Sequence, residues 1–368
     1  MISFDSLSNF QYEENGRYKN SNVIALPGFI NLHSHLFNKP RYTAMHSMDF
    51  LNDKPNGEQM DNCMQFNTSL KDAIFHGTKV ICSSVRPEYI DKFIQLNENN
   101  EILVIPFLSI KNYHDVNYIE NCLSKLERYL LKKGKITKPG LLIHSLYNMN
   151  YDKILQYLYL ASSGRYILSM HFFESESEKI FYETGNQECS YDVIYEKLLM
   201  RWEPKVFQTF VQDFLSDKYI NKLLIHCNYL PQELINKYNN NFDMVICPSS
   251  CCRLANNINI SMNLDNTCLA TDGAFTNFGY NLLTELKIFQ SAAWLKRKKI
   301  PLGNFLSTIT VTPKKILQKT NLVKDSYYFE SLSFYNFFEK ITGFIPYGNE
   351  VEDFLIYTDS YKRISFNE

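Results

Sequence analysis

The chain has 368 residues, near the upper limit for one domain and long enough for a large core. Its 38 basic and 39 acidic residues balance, which removes any general electrostatic reason to bind nucleic acid or an anionic membrane. The nine cysteines are odd in number and follow no framework, so free thiols in a reducing compartment are expected.

In chain order, the N-terminal "MISFDSLSNFQYEENG" has no basic region followed by an apolar core, so no secretory signal is expected. No apolar run approaches the roughly 18 residues of a membrane span. A cytoplasmic protein acting on a small molecule is expected, without nucleic acid or membrane and with a homodimer left open. Short apolar, β-branched or aromatic runs then recur. They are "NVIALPGFINLH" (22–33), "TKVICSSV" (78–85), "EILVIPFLSI" (101–110), "GLLIHSLYN" (140–148), "RYILSMHFFES" (165–175), "KLLIHCNYL" (222–230), "DMVICPSS" (243–250) and "TCLATDGA" (267–274). Each reads as a buried strand. Helical patterns separate most of them. "VNYIENCLSKLERYLLKKG" (116–134) repeats apolar residues three and four apart and stops at Gly134, and 281–297 does the same after the last strand. The basic "WLKRKKI" (294–300) reads as a solvated helix end. Strands alternating with helices predict an α/β fold, and the count favours a (β/α)8 TIM barrel over a doubly wound open sheet. Residues 1–22 and 325–368 alternate aromatic and polar residues and are expected to form a small β element outside a barrel spanning 23–324.

Side chains alternate along a strand, so His33 and His35 point to one side, at the C-terminal end of the first run. That end carries the active site in such barrels. His144, His171 and His226 end other runs, Asp272 ends the eighth, and Glu174 lies just past His171. A lone strand-end histidine is ordinarily a core or surface residue, and H-x-H alone is weak. Imidazoles with one carboxylate are nevertheless a common set for catalytic zinc or iron, whose role is to make water nucleophilic at neutral pH.

"PGFINLHSHL", "LSMHFFESESE", "LLIHCNYL", "VICPSS" and "LATDGAFTN" together resemble the successive strand-end motifs of the amidohydrolase superfamily, in the order of its metal-dependent deaminase branch. The likeness runs from about Val23 to Leu317. "MHFFESESE", "CPSSCCRLANN" and "LATDGAFTN", with "MDFLND" upstream, look most like the aminofutalosine deaminase group of menaquinone biosynthesis. Two departures stand out. Cys251 occupies a position where the pattern usually has asparagine, and the short ends imply a small or incomplete β-sandwich.

The resemblance implies that His33, His35, His171 and Asp272 bind one divalent metal, zinc or alternatively iron. It implies that Asp272 takes the proton of the attacking water, that Glu174 carries it to the substrate ring, and that His226 orients or polarises the nucleophile. His144 and Tyr147, in "HSLYN", are expected to touch substrate. "GLLIHSLYN" contains no lysine that could bridge two metals, so a single metal and a deaminase are expected. The implied function is hydrolytic deamination of an amino-purine nucleoside, with aminofutalosine the best single substrate. The alternatives are hydrolysis of another C–N or C–Cl bond, and a decayed barrel that only binds. His46, His76 and His114 receive no role. The cysteines around Cys247 fit no usual zinc spacing. Glu176 and Glu178 read as solvated, Glu178 with a share in shaping the loop. Phe172, Phe173 and Phe275 are expected beside a substrate ring.

Overall fold

A computed structural model describes residues 23–39, 62–98, 100, 102–134, 138–162, 165–185, 192–254, 256–260, 264–277, 279–320, 322–323, 332–337 and 361–364. The strands are β1 (Val23–Pro27), β2 (Phe29–His35), β3 (Thr78–Val85), β4 (Leu103–Ile110), β5 (Gly140–Ser145), β6 (Leu168–Phe172), β7 (Lys222–His226), β8 (Asp243–Ile246), β9 (Thr267–Leu269), β10 (Asp272–Gly273), β11 (Leu332–Phe337) and β12 (Tyr361–Ile364). A 9-stranded sheet runs in the order β10-β2-β3-β4-β5-β6-β7-β8-β9, and its pairs are parallel.

The two ends of that order are one stretch of chain. β9 pairs with β8, and β10, two residues further on, pairs with β2. Nine strands with two on one stave make an eight-staved closed barrel, and the open-sheet alternative falls away. A side chain clasps the seam. Asn31 Nδ2 donates to Thr271 Oγ1 at 2.7 Å, and Thr271 N donates back to Asn31 Oδ1 at 3.3 Å. Both residues are fully buried. Asn31→Ala is expected to lower stability by about 1–3 kcal/mol, because it strands a buried donor on Thr271. An unchanged denaturation midpoint would remove the clasp from this account.

The helices are α1 (Asn62–Phe75), α2 (Ile90–Leu96), α3 (Val116–Lys133), α4 (Tyr151–Ser162), α5 (Glu176–Thr184), α6 (Val193–Leu199), α7 (Pro204–Ser216), α8 (Gln232–Tyr238), α9 (Pro248–Arg253), α10 (Leu282–Leu295), α11 (Leu302–Ser307) and α12 (Val311–Lys319). α3 illustrates why they form and stop where they do. The Asp115 side chain accepts from the Asn117 and Tyr118 amides at its start, and Gly134 at φ 68° closes it. Ile119, Leu123, Leu126 and Leu130 give it one buried face. Residues 294–299 are exposed, as a solvated helix end should be.

The first apolar run is two strands, not one. It breaks at Gly28, directly after Pro27, which lacks an N–H and ends β1. β1 joins β11 and β12 in a separate 3-stranded antiparallel sheet drawn from both chain ends. Residues 1–22, expected in a terminal element, lie outside the described residues, as does most of 325–368. Among the described residues, no helix is long and apolar enough to cross a membrane.

Candidate active site

The site assembles at the C-terminal ends of the barrel strands. β2 delivers His33 and His35 to one side, β5 delivers His144, β6 His171, β7 His226 and β10 Asp272. The chain turns sharply there. Phe173 (φ 48°), His226 (φ 71°), Cys227 (φ 52°) and Asp272 (φ 59°) are all left-handed without being glycine. Such conformations cost about 1–3 kcal/mol each and persist where surrounding structure imposes them, often at functional sites.

Potential ligand atoms of His33, His35 and His171 lie within 4.8 Å of one another, and the same holds for His171, Glu174 and His226. His171 Nε2 is 3.2 Å from His33 Nε2. Asp272 Oδ1 lies 3.5 Å from His33 Nε2 and 3.3 Å from His35 Nε2. Burial, with the other rings adding to it, takes His35 down to about 3 and His171 well below the ordinary imidazole range. Burial thus favours the neutral form of His35 and His171, the form that ligates a metal. Converging imidazole nitrogens with a carboxylate beside them could hold a divalent cation. β5 contributes no lysine, and Lys138 precedes it.

Asp272 presents one oxygen to the histidines and has the other tied. Its Oδ2 accepts from Ser250 Oγ and from Thr276 Oγ1, each at 2.8 Å. Burial pushes its carboxyl up, but the His33 hydrogen bond and the surrounding imidazoles outweigh that and hold it well below the usual range. Glu174 goes the opposite way. Burial, reinforced by the Asp272 carboxylate, pushes it up to about 8. Its Oε1 is 3.5 Å from His226 Nε2. Two carboxyl groups in one pocket are thus held in opposite protonation states at neutral pH, the arrangement that acid–base chemistry requires.

His144 lies beside this cluster, its ring centroid 4.9 Å from that of His171, and its Nδ1 is 3.1 Å from Ser145 Oγ. Burial takes it to about 4. Tyr147 is buried, 6.3 Å from the His144 ring, with Lys197 Nζ 5.8 Å over its face. Burial, with Glu174 and Glu178 nearby, raises its phenol well above 10. All eight residues singled out in the sequence therefore sit in one region.

Several other expectations need correction. Glu178 is buried, not solvated: it is the third residue of α5, and its carboxylate accepts from the Ser175 amide at 3.0 Å in a capping box. Glu176 is exposed. Phe172 and Phe173 are fully buried in the layer behind the strand, where Phe172 packs on Phe214 of α7 and Phe173 on Tyr182 of α5. Alternation puts Phe172 on the opposite face from His171, so it supports the site and does not line it. His114 closes a local turn by accepting from Lys111 N, and His76 pairs with Asp72 at 3.4 Å. His46 lies outside the described residues.

The supporting residues were hard to find from sequence. Ser250 and Thr276 carry ordinary hydroxyls. The one clue is that Thr276 lies four residues past Asp272, on the same turn. Glu285 of α10 is fully buried and accepts from Ser249 N and Asn277 Nδ2, each at 2.8 Å, tying the Ser250 and Thr276 segments together. Its helical position gave no hint of this. A groove of about 480 Å³ lies elsewhere, between α4 and α7, lined by residues such as Leu155 and Phe210, and it holds none of these histidines.

No family model matches the sequence, and no curated protein does. Solved structures do. Helicobacter pylori aminofutalosine deaminase in complex with methylthio-coformycin is 21% identical, with a TM-score of 0.69, over 94% of this chain and 87% of that one. An adenosine deaminase from Xanthomonas campestris with bound zinc is 12% identical, TM-score 0.67, over 91% and 76%. Guanine deaminase from C. acetobutylicum with bound guanine is 17% identical, TM-score 0.66, over 93% and 86%. The chain shares the fold of these three deaminases.

Proposed function

We propose that this protein is a metal-dependent hydrolytic deaminase of an amino-purine nucleoside, with aminofutalosine the first substrate to try. The observation that carries the reading is the convergence of His33, His35 and His171 with the Asp272 carboxylate at the strand ends, with Glu174 beside His226 in the same cluster. The fold shared with three deaminases acting on ring amino groups supports it.

His33, His35, His171 and Asp272 would hold the metal, zinc or alternatively iron. When bound, that ion supplies the Lewis acidity that makes water nucleophilic at neutral pH. The remaining work falls to the chain. Asp272, held as an anion with its Oδ2 tied by two hydroxyls, accepts the proton of the attacking water. Glu174 gives its proton to the ring nitrogen beside the reacting carbon while oxygen adds there. His226, 3.5 Å from Glu174, orients the water. Return of a proton to the exocyclic nitrogen lets the C–N bond break, and ammonia leaves while the carbon keeps the oxygen. His144 and Tyr147 border the place where the rest of the substrate would lie.

The test combines two measurements on protein purified without added metal. Elemental analysis is expected to find about one zinc or iron per chain. Incubation with aminofutalosine, adenosine, S-adenosylhomocysteine, guanine and cytosine is expected to release stoichiometric ammonia from at least one purine compound, aminofutalosine first. A metal-replete, monodisperse sample that releases none overturns the deaminase reading and leaves hydrolysis of another C–N or C–Cl bond. A metal-free one points to a decayed, binding-only barrel.

A further inference from the structure

We infer that Asn228 and Cys251 are positioning residues for Glu174: the Asn228 side chain clamps the Glu174 main chain, and the Cys251 thiol locks that side chain's orientation. The inference rests on Glu174 being the proton carrier and explains how that residue is held.

β6 ends at Phe172 and α5 begins at Glu176, so no regular element carries Glu174. The chain past β7 runs alongside it instead. Cys227 N donates to Phe172 O and Tyr229 N to Phe173 O, both at 3.0 Å. The next rung is supplied by a side chain, with Asn228 Nδ2 donating to Glu174 O at 3.1 Å. Asn228 is only 2% exposed, so a misdirected amide could not turn to water for a partner.

The orientation of that amide follows from its two neighbours. The Glu174 carbonyl only accepts, so the NH2 group must face it. Asn228 Oδ1 then points at α9 and needs a donor. Cys251 Sγ lies 3.1 Å from it and provides one. Burial pushes the Cys251 thiol well above its ordinary range, so it keeps the proton it must donate. Asparagine, the residue usual at this place in the resembled pattern, can also donate one hydrogen bond. The departure at position 251 thus preserves a donor, and the fully buried thiol has a structural task.

Three variants test this, each read in two ways. Cys251→Ala removes the donor, Cys251→Ser retains one, and Asn228→Asp replaces the clamp's NH2 with oxygen without touching α9. On whichever nucleoside releases ammonia, Cys251→Ala and Asn228→Asp are expected to lower kcat about tenfold, as for loss of one hydrogen bond, with KM within about twofold. Metal content should not change. Cys251→Ser should recover most of the loss. The second reading is hydrogen exchange of residues 173–176 by mass spectrometry, expected to quicken in Cys251→Ala and Asn228→Asp but not in Cys251→Ser. Alanine and serine variants that behave alike in both readings overturn the inference. If the wild type releases no ammonia from any nucleoside, the deaminase reading fails, and the exchange comparison still decides whether the clamp exists.

Discussion

His33→Ala is expected to strip the metal from the protein and abolish turnover. His33 sits at the centre of the cluster, its Nε2 3.2 Å from His171 Nε2 and 3.5 Å from Asp272 Oδ1. Losing it leaves two of the three converging imidazoles and takes from the buried Asp272 carboxylate one of the two rings that face its Oδ1. Replacing a residue that merely supports a metal ligand typically costs about 10- to 100-fold in affinity or activity. Removing a ligand itself should exceed about 100-fold on that scale. The barrel should survive, because the strand's apolar contacts through Phe29, Ile30 and Leu32 are untouched. Elemental analysis, an ammonia assay and circular dichroism on one preparation separate these effects. A folded variant that keeps both its metal and near-normal turnover removes His33 from the ligand set.

The legible part of this molecule is the part that periodicity encodes. Thr78–Val85 was readable to the residue, because its apolar run is bounded on both sides by polar or turn-forming residues. α3 was readable at its C-terminus, because Gly134 is free to take the left-handed turn that ends it. His33, His35, His171 and Asp272 were legible together because strand ends of a parallel barrel converge, so residues far apart in sequence become neighbours. What stayed hidden depends on single local events. Pro27 and Gly28 divide one apolar run between two sheets, which a count of apolar residues cannot reveal. Phe172 adjoins His171 in sequence, yet pleating sends the two to opposite faces. Glu178 looks like a surface charge until Ser175 is seen to begin a helix three residues before it. Asn228 is the extreme case: its contribution is one rung of a ladder that no pattern announces.

Glu174→Gln is expected to keep the metal and lower kcat by about 10² to 10⁴, the usual contribution of a positioned acid–base group. Burial first, and the Asp272 carboxylate second, push the Glu174 carboxyl from 4.5 to about 8, so near neutral pH it is largely an uncharged acid holding a transferable proton. Glutamine has the same shape and no charge, so it can fill the place of that acid but cannot cycle a proton. The same reasoning fixes the sign of a stability effect. The unfolded chain ionises this group near 4.5 while the folded chain resists until about 8, so the wild type loses stability as pH rises through that window. Glutamine removes the titration, and its variant should therefore gain on the wild type between those pH values. Denaturation of the two metal-free proteins at pH 4 and pH 9 should show little difference at the lower pH and a more stable variant at the higher. Near-normal turnover in the glutamine variant would show that the proton travels by another group. Loss of turnover together with loss of metal would instead place Glu174 among the ligands, a role its 3.5 Å approach to His226 leaves sterically open.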